Sequence, residues 1–184
     1  RFDPRPQPRV LSEEMDVIQG KLGLGYRCAT EDTPAMILAN LIFGGTSNSK
    51  LFMNVRERLS LCYYASSSYA RSKGIMTVSS GVEQKDYDRA VEEITRQLTA
   101  VQNGDWEDWE QQGALQAMLS SLTSLPDSQS ALENYYLGQI ATDCDETPEQ
   151  LARALREVTK ERIMAAAQSA RLDTVYFLHG KEEA

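Results

Sequence analysis

Val55-Arg56-Glu57-Arg58-Leu59-Ser60-Leu61-Cys62-Tyr63-Tyr64 is the most informative run of this chain. Its first half continues an apolar pattern at helical spacing, and its second half is an aromatic run typical of a β-strand. The pattern predicts a helix that enters a strand, with Arg56 and Tyr63 seven residues apart at the junction. The predicted apolar face of the helix carries Leu51, Phe52, Val55 and Leu59.

Arg56 and Tyr63 allow two interpretations from the residues alone. A guanidinium and a phenol held beside one cleft supply hydrogen-bond donors for a carbonyl or carboxylate of an extended peptide. Alternatively, Arg56 is a solvated charge at a helix end and Tyr63 packs in a sheet. Arg58 is two residues from Arg56, so we expect it on the solvated side of the helix.

Leu51-Phe52, followed by the run from Arg56 to Tyr63, resembles the second-domain motif of the pitrilysin/insulinase-type zinc peptidases. That motif reads Leu-Arg-Glu-x-x-Gly-Leu-x-Tyr after a Leu-Phe pair, and Ser60 stands where the family commonly has Gly. The variant Ser-Leu-Cys-Tyr-Tyr-Ala-Ser-Ser at 60–67 is similar to bacterial members that lack the zinc motif. The likeness extends from about Met15 to about Gly180.

The resemblance implies two similar domains in succession, with a zinc-binding helix in the first and the Arg/Tyr motif in the second. Zinc chemistry in that family needs His-x-x-Glu-His on a helix and a distal Glu. This chain has one histidine, His179, near its end, and a lone imidazole is a poor metal site. We therefore expect no metal ligand, cofactor or catalytic residue here, and zinc only in another domain or subunit.

Two functions follow from the resemblance. In the first, Arg56 and Tyr63 bind the peptide carbonyl near the scissile bond, while zinc in another domain activates water. In the second, the parent lacks zinc and binds peptide or pairs with a zinc-bearing homologous subunit. The extreme form of the second is an inactive structural subunit without a peptide site of its own. Neither function makes this chain alone a peptidase.

Composition and charge limit the partners. The 184 residues include 19 basic and 27 acidic side chains, for a net charge of −8, which fits one globular domain. The absence of clustered lysine and arginine argues against nucleic acid and is compatible with a cationic peptide. No apolar run approaches the ~20 residues of a membrane span, and no signal-peptide pattern opens the chain. The expected location is the cytoplasm.

The cysteines and the acidic loop carry no predicted chemistry. Cys28, Cys62 and Cys144 are widely spaced without a Cys-x-x-Cys pair, so they are interpreted as reduced packing residues. A nucleophilic Cys62 would need His179 as its base, and nothing in the sequence brings the two together. Asp143-Cys144-Asp145-Glu146 lacks the ligand spacing of a calcium loop.

The chain is divided into a leading segment, one domain and a tail. Three prolines among the first nine residues predict a linker over 1–14, followed by a domain over 15–180 and a solvated tail over 181–184. The domain starts abruptly in mid-pattern, which indicates a piece of a longer protein that has a preceding homologous domain.

The order of elements predicts an α+β fold, with a layer of helices on a mainly antiparallel sheet. The same order is found in the pitrilysin-type domain. Trp106 and Trp109 are interpreted as packing residues. The predicted elements are a strand over 15–28, a helix over 36–43 capped by Thr33 and ended by Gly44-Gly45, a helix from 47–49 to Arg56, a hairpin of strands 61–69 and 75–80 that turns at Gly74, a helix over 87–101, helices capped by Asp105, Ser128, Thr147 and Thr159, and a strand over 172–179.

Overall fold

The computed structural model describes residues 7–181. One five-stranded sheet, in the order β1-β5-β2-β4-β3, is antiparallel except for the β1–β5 pair. Its strands are β1 Arg9–Glu14, β2 Gly20–Cys28, β3 Ala65–Ala70, β4 Ile75–Val82 and β5 Ala170–His179. Its helices are α1 Thr33–Asn40, α2 Tyr87–Gln102, α3 Asp108–Thr123, α4 Gln129–Ala141, α5 Pro148–Arg156 and α6 Lys160–Gln168. The predicted α+β class is confirmed.

Alternation along the strands places the core on one face of the sheet. In β2, Leu22, Leu24 and Tyr26 are buried, whereas Lys21, just before them, is exposed on the opposite face. The buried side chains pack with those of the helices in a single cluster. Burial of this apolar area at about 25 cal/mol per Å² is the main force that holds the helical layer on the sheet.

Part of the segment 1–14, which was predicted to be a linker, is a β-strand. Arg9–Glu14 forms β1, which pairs in parallel with β5 in a register that runs from Arg9 opposite Thr174 to Glu14 opposite His179. All six β1 side chains are exposed, so no apolar stripe revealed this strand. Residues 1–6 and 182–184 of the predicted linker and tail lie outside the described residues.

Two helices before β3 differ from the prediction because they include π-helical turns. The first continues from α1 as Leu41–Gly45, and the second is Leu51–Arg58. Hydrogen bonds from residue i to i+5 rotate side chains away from the α-helical spacing. Leu51 and Val55 are buried, as predicted, whereas Leu59, just after the end of the π-helix, is 38% exposed.

The predicted aromatic strand begins later than expected, at Ala65. Ser60 has a positive φ of 48°, which turns the chain out of the π-helix before Leu61. Residues 61–64 then form a bent loop instead of a strand. The hairpin beyond it turns as predicted, with Gly74 at φ 61°. The strand predicted over 15–28 is also shorter and begins at Gly20.

The helix caps were predicted with mixed success. Ser128, Thr147 and Thr159 cap α4, α5 and α6 as predicted. The cap of α1 is Asp32 instead of Thr33, because the Asp32 carboxylate accepts a hydrogen bond from the Ala35 amide. Helix α3 is capped by Glu107 instead of Asp105. Of the two tryptophans predicted to pack, Trp106 is buried, whereas Trp109 is 56% exposed.

Candidate functional site

Arg56 lies near the end of the π-helix Leu51–Arg58, which is held down by buried Leu51 and Val55. Its guanidinium carbon is 4.6 Å from the centroid of the Phe52 ring, a cation–π contact that orients the side chain. Arg56 Nε is 3.6 Å from Glu57 Oε1, and the two side chains are 40% and 50% exposed, so this pair is weak. The guanidinium therefore has donors available for a ligand.

Tyr63 lies on a loop that β4 holds in place. The Tyr63 amide donates to the Gly81 carbonyl at 2.9 Å, and the Gly81 amide donates to the Tyr64 carbonyl at 3.2 Å. The Ser80 hydroxyl donates to the same Tyr64 carbonyl at 2.9 Å. With Leu61 and Cys62 buried just before it, Tyr63 has a fixed backbone and a ring that is 59% exposed.

Arg56 and Tyr63 line one cavity of about 430 Å³. The end of the π-helix forms one wall, and the segment that follows β4 forms another. The cavity is lined by Arg56, Glu57, Ser60, Leu61, Cys62, Tyr63, Glu83 and Asp86. The structure thus brings the two predicted site residues together and places a cation and a phenol beside three carboxylates.

Glu83 is a site residue that the sequence analysis missed. The Tyr63 hydroxyl donates to Glu83 Oε1 at 2.9 Å, and Lys85 Nζ is 2.7 Å from Glu83 Oε2. The hydrogen bond and the charge of Glu83 raise the pKa of Tyr63, while Lys85 and then Tyr63 lower the pKa of Glu83. Glu83 also raises the pKa of Lys85. The phenol is therefore neutral and a donor at neutral pH.

Cys62 and His179 do not form a catalytic pair. Burial raises the pKa of Cys62, although the Ser80 hydroxyl and Arg56 oppose that shift, so its thiol is protonated at neutral pH. His179 lies at the end of β5, where its ring stacks on Phe177 with centroids 5.4 Å apart. His179 does not line the cavity that contains Cys62.

Residues 7–181, the described part of the chain, offer neither a metal centre nor a membrane span. Within that range, no group of three or more His, Cys, Asp or Glu side chains is placed to hold a metal ion. That part of the chain therefore offers no zinc site, and we assign zinc no step there. Over the same range, no helix is long and apolar enough to cross a bilayer.

Comparison with known proteins gives the family that the motif from Arg56 to Tyr63 resembles. The family described as "Peptidase M16 inactive domain" matches residues 2–118. The "Probable inactive metalloprotease YmfF" of Bacillus subtilis (strain 168) is 38% identical over 99% of this chain and 44% of its own length. The crystal structure of a conserved protein from Enterococcus faecalis V583 has a TM-score of 0.91 and 30% identity, over 100% of this chain and 44% of that one.

One further solved structure is similar to this chain in fold alone. The peptidase M16 inactive domain from Pseudomonas fluorescens has a TM-score of 0.77 at 19% identity, over 97% of this chain and 45% of that one. This chain therefore spans less than half the length of these relatives.

The fold and the family match define an inactive, peptidase-like domain. The chain belongs to the peptidase M16 inactive-domain family, which confirms the resemblance seen at Arg56–Tyr63. The left-handed backbone of Ser60 explains why the motif commonly has Gly at this position.

Proposed function

We propose that this chain is the peptide-binding, non-zinc domain of a larger M16-type protein, and that Arg56 and Tyr63 contact the peptide backbone. The observation that carries this proposal is the shared cavity of the two side chains. Zinc, if the assembly uses it, belongs to a preceding homologous domain or to a homologous subunit. The relatives, more than twice as long as this chain, have room for such a domain.

Arg56 and Tyr63 suit a peptide carbonyl for complementary reasons. The guanidinium offers several donors in one plane, and the neutral phenol offers one more beside it. In the absence of peptide, Tyr63 donates to Glu83, so a peptide carbonyl has to replace that carboxylate as the acceptor. If zinc chemistry occurs in a neighbouring domain, the same donors stabilise the developing oxyanion.

Three carboxylates in the cavity favour a peptide that carries a basic side chain near the bound carbonyl. Glu57, Glu83 and Asp86 line the cavity, and a basic side chain of the peptide would compete with their present partners, which are Arg56, Lys85 and Arg89. Lysine or arginine on the peptide would be attracted to these carboxylates, whereas an acidic side chain would be repelled. The net charge of −8 acts in the same direction at longer range.

The proposal is tested by the binding of a fluorescent peptide that contains lysine residues, measured by polarisation. We expect Arg56→Ala to weaken binding about tenfold and Tyr63→Phe about threefold, because each change removes donors to the peptide carbonyl. Arg58→Ala and Tyr64→Phe are matched controls, since both residues are exposed neighbours that do not line the cavity. Equal losses in the controls and in the site variants would contradict a specific site.

A second candidate is an interaction subunit that binds no peptide. The relative described as a probable inactive metalloprotease favours it. The full-length parent separates the candidates through its zinc content and its peptidase activity, measured alone and after mixing with a zinc-motif homologue from the same source. Activity that is gained on mixing and lost in Arg56→Ala supports a substrate-binding partner. Activity on mixing that survives both site substitutions supports the interaction subunit.

A further inference from the structure

A larger cleft, of about 1030 Å³, lies at the opposite end of β4 from the Arg56 cavity. Ile75 at the start of β4 lines this cleft, whereas Glu83, just after the end of β4, lines the other cavity. The end of β2, the β3–β4 turn, the end of α4 and the start of β5 form its walls. Its volume is at the upper limit of the roughly 300–1,000 Å³ of small-molecule pockets, which suits an extended ligand.

The cleft concentrates positive charge in a chain whose net charge is −8. Four basic side chains line it, and among the described lining residues the acidic one is Asp143. These basic residues are Arg27, Arg71, Lys73 and Arg171. The local charge is therefore opposite in sign to that of the whole chain, which favours a negatively charged ligand.

The four cations differ in how far they are already neutralised. Arg27 Nε is 2.6 Å from an Asp173 carboxylate oxygen, and Arg71 Nη1 is 2.8 Å from Glu146 Oε2. Lys73 and Arg171 are exposed, and within residues 7–181 neither is in an ion pair with a carboxylate. These two side chains are the ones available to a ligand.

Apolar side chains share the cleft with the cations. Ile75 and Tyr69 come from the β-hairpin, and Ile140 comes from the last turn of α4. Ile140 is 75% exposed, and Leu137, one turn earlier on α4, is 61% exposed. A simple inorganic anion leaves this apolar surface in water, so the cleft is better matched by a ligand that joins carboxylates to apolar groups.

We propose that this cleft binds an acidic polypeptide segment in which Asp or Glu side chains alternate with apolar ones. Lys73 and Arg171 pair with the carboxylates, while Ile75 and Ile140 contact the apolar groups. The opposite charge preference separates this cleft from the Arg56 cavity, whose carboxylates favour basic peptides. Binding at the cleft does not depend on the function proposed for Arg56 and Tyr63.

The test uses the purified chain and a fluorescein-labelled peptide in which Glu alternates with Leu, followed by polarisation at low salt. A matched peptide carries Gln in place of Glu. We expect the double variant Lys73→Ala/Arg171→Ala to bind the acidic peptide about tenfold more weakly, because two charge-assisted contacts are lost. The control Lys21→Ala/Arg153→Ala removes the same charge at exposed sites outside the cleft and is expected to bind like wild type.

Each outcome decides the proposal. Loss in the double variant, retention in the control and weaker binding of the Gln peptide support it. Equal binding of the Glu and Gln peptides, or wild-type affinity in the double variant, overturns it. Displacement of the peptide by inorganic phosphate at equal concentration shows a simple anion site and overturns the assignment to a polypeptide.

Discussion

Ser60 has the backbone conformation on which the position of Tyr63 depends. Its φ of 48° is left-handed, which costs a residue with a Cβ atom roughly 1–2 kcal/mol. The Ser60 amide donates to the Arg56 carbonyl at 3.1 Å, and the Leu61 amide donates to the Val55 carbonyl at 3.0 Å. These bonds end the π-helix and direct the loop across β4, so the strain at one residue is balanced by the hydrogen bonds around it.

Replacing Ser60 by Gly is expected to raise the free energy of unfolding by about 0.5–1 kcal/mol. Glycine relieves the left-handed strain, and the greater freedom of the unfolded chain offsets part of that gain. Urea denaturation measures the change. Ser124→Gly is the control, because Ser124 has an ordinary φ of −85°. That substitution should not stabilise the protein, and equal stabilisation by both would refute the role of Ser60.

The hydrogen bond between Tyr63 and Glu83 predicts that the pKa of Tyr63 falls when the Glu83 carboxylate is removed. Glu83 accepts from the neutral phenol and repels the phenolate, so the pKa of Tyr63 lies above its ordinary value. Glu83→Gln should move it back toward about 10. The ¹³C resonance of the Tyr63 ring, followed against pH, measures the shift. Glu57→Gln, a charge removal at the same cavity without this bond, should change it much less.

The helices differ in how firmly the fold holds them. The Asp32 carboxylate at the start of α1 accepts from Arg162 of α6 at 2.8 Å and 2.9 Å, and this pair ties the two helices together. In α4, by contrast, Gln139 is the buried residue, while Tyr136, Leu137 and Ile140 are largely exposed. The cleft therefore takes part of its wall from a weakly packed helix.

The space around each helical glycine predicts whether its replacement by alanine stabilises the protein. A Cβ at Gly113 in α3 or Gly138 in α4 meets nothing within 4 Å. Alanine at either position should stabilise its helix by about 0.5–1 kcal/mol. At Gly44 a Cβ would lie 2.8 Å from the Ser67 amide nitrogen, so Gly44→Ala should destabilise the fold. Thermal unfolding of the three variants checks the signs, and a stabilising Gly44→Ala would contradict this packing.

The Asp32–Arg162 pair predicts a dependence of stability on pH. The Arg162 hydrogen bond lowers the pKa of Asp32, so its stabilisation is present above the unfolded value of about 3.9 and disappears as pH falls through the folded value. Asp32→Asn keeps a good helix cap and should cost about 0.5–1 kcal/mol at pH 7, since Arg162 is partly exposed. Asp32→Ala should cost about 1 kcal/mol more.

Urea unfolding at several pH values measures both Asp32 variants against wild type. The deficit of Asp32→Asn should shrink as the solution is acidified. A deficit that stays constant down to the acid limit would show that the charge of Asp32 is not its cause.

For the whole molecule, the two edges of the sheet are held differently. At one edge, β3 places Ala65 and Ser67 in the core, and the Ser67 hydroxyl donates to the Asn40 carbonyl. At the other edge, all six side chains of β1 are exposed, and backbone bonds to β5 hold the strand. The free energy that keeps β1 in place is therefore small compared with that of the core strands.

Native-state hydrogen exchange should resolve this difference between the edges. The hydrogen-bonded amides of β1 should exchange through local opening, with little dependence on denaturant. Those of β2 and β4, such as Leu24 and Val78, should exchange only on global unfolding. The buried residues of β3 make it the control edge strand. Equal protection of β1 and β2 would show that β1 belongs to the cooperative core.

Elements with strong local signals were predictable from the amino-acid sequence. Helical periodicity gave α2, the Thr147 cap gave the start of α5, and the turn at Gly74 gave the hairpin, because each depends on residues close in sequence. The motif from Arg56 to Tyr63 indicated the family and the two candidate site residues. That Arg56 and Tyr63 line the same cavity followed only from the fold.

Four features became visible only in the folded chain, namely β1, the π-helical turns, Glu83 as the partner of Tyr63, and the basic cleft. Strand β1 has no apolar stripe and exists through backbone pairing with a strand about 165 residues later. Glu83 reaches Tyr63 because β4 runs beside the loop that carries the tyrosine. The cleft collects cations from β2, the β3–β4 turn and β5. The strand, the contact between Tyr63 and Glu83, and the cleft depend on long-range register, which no local pattern encodes.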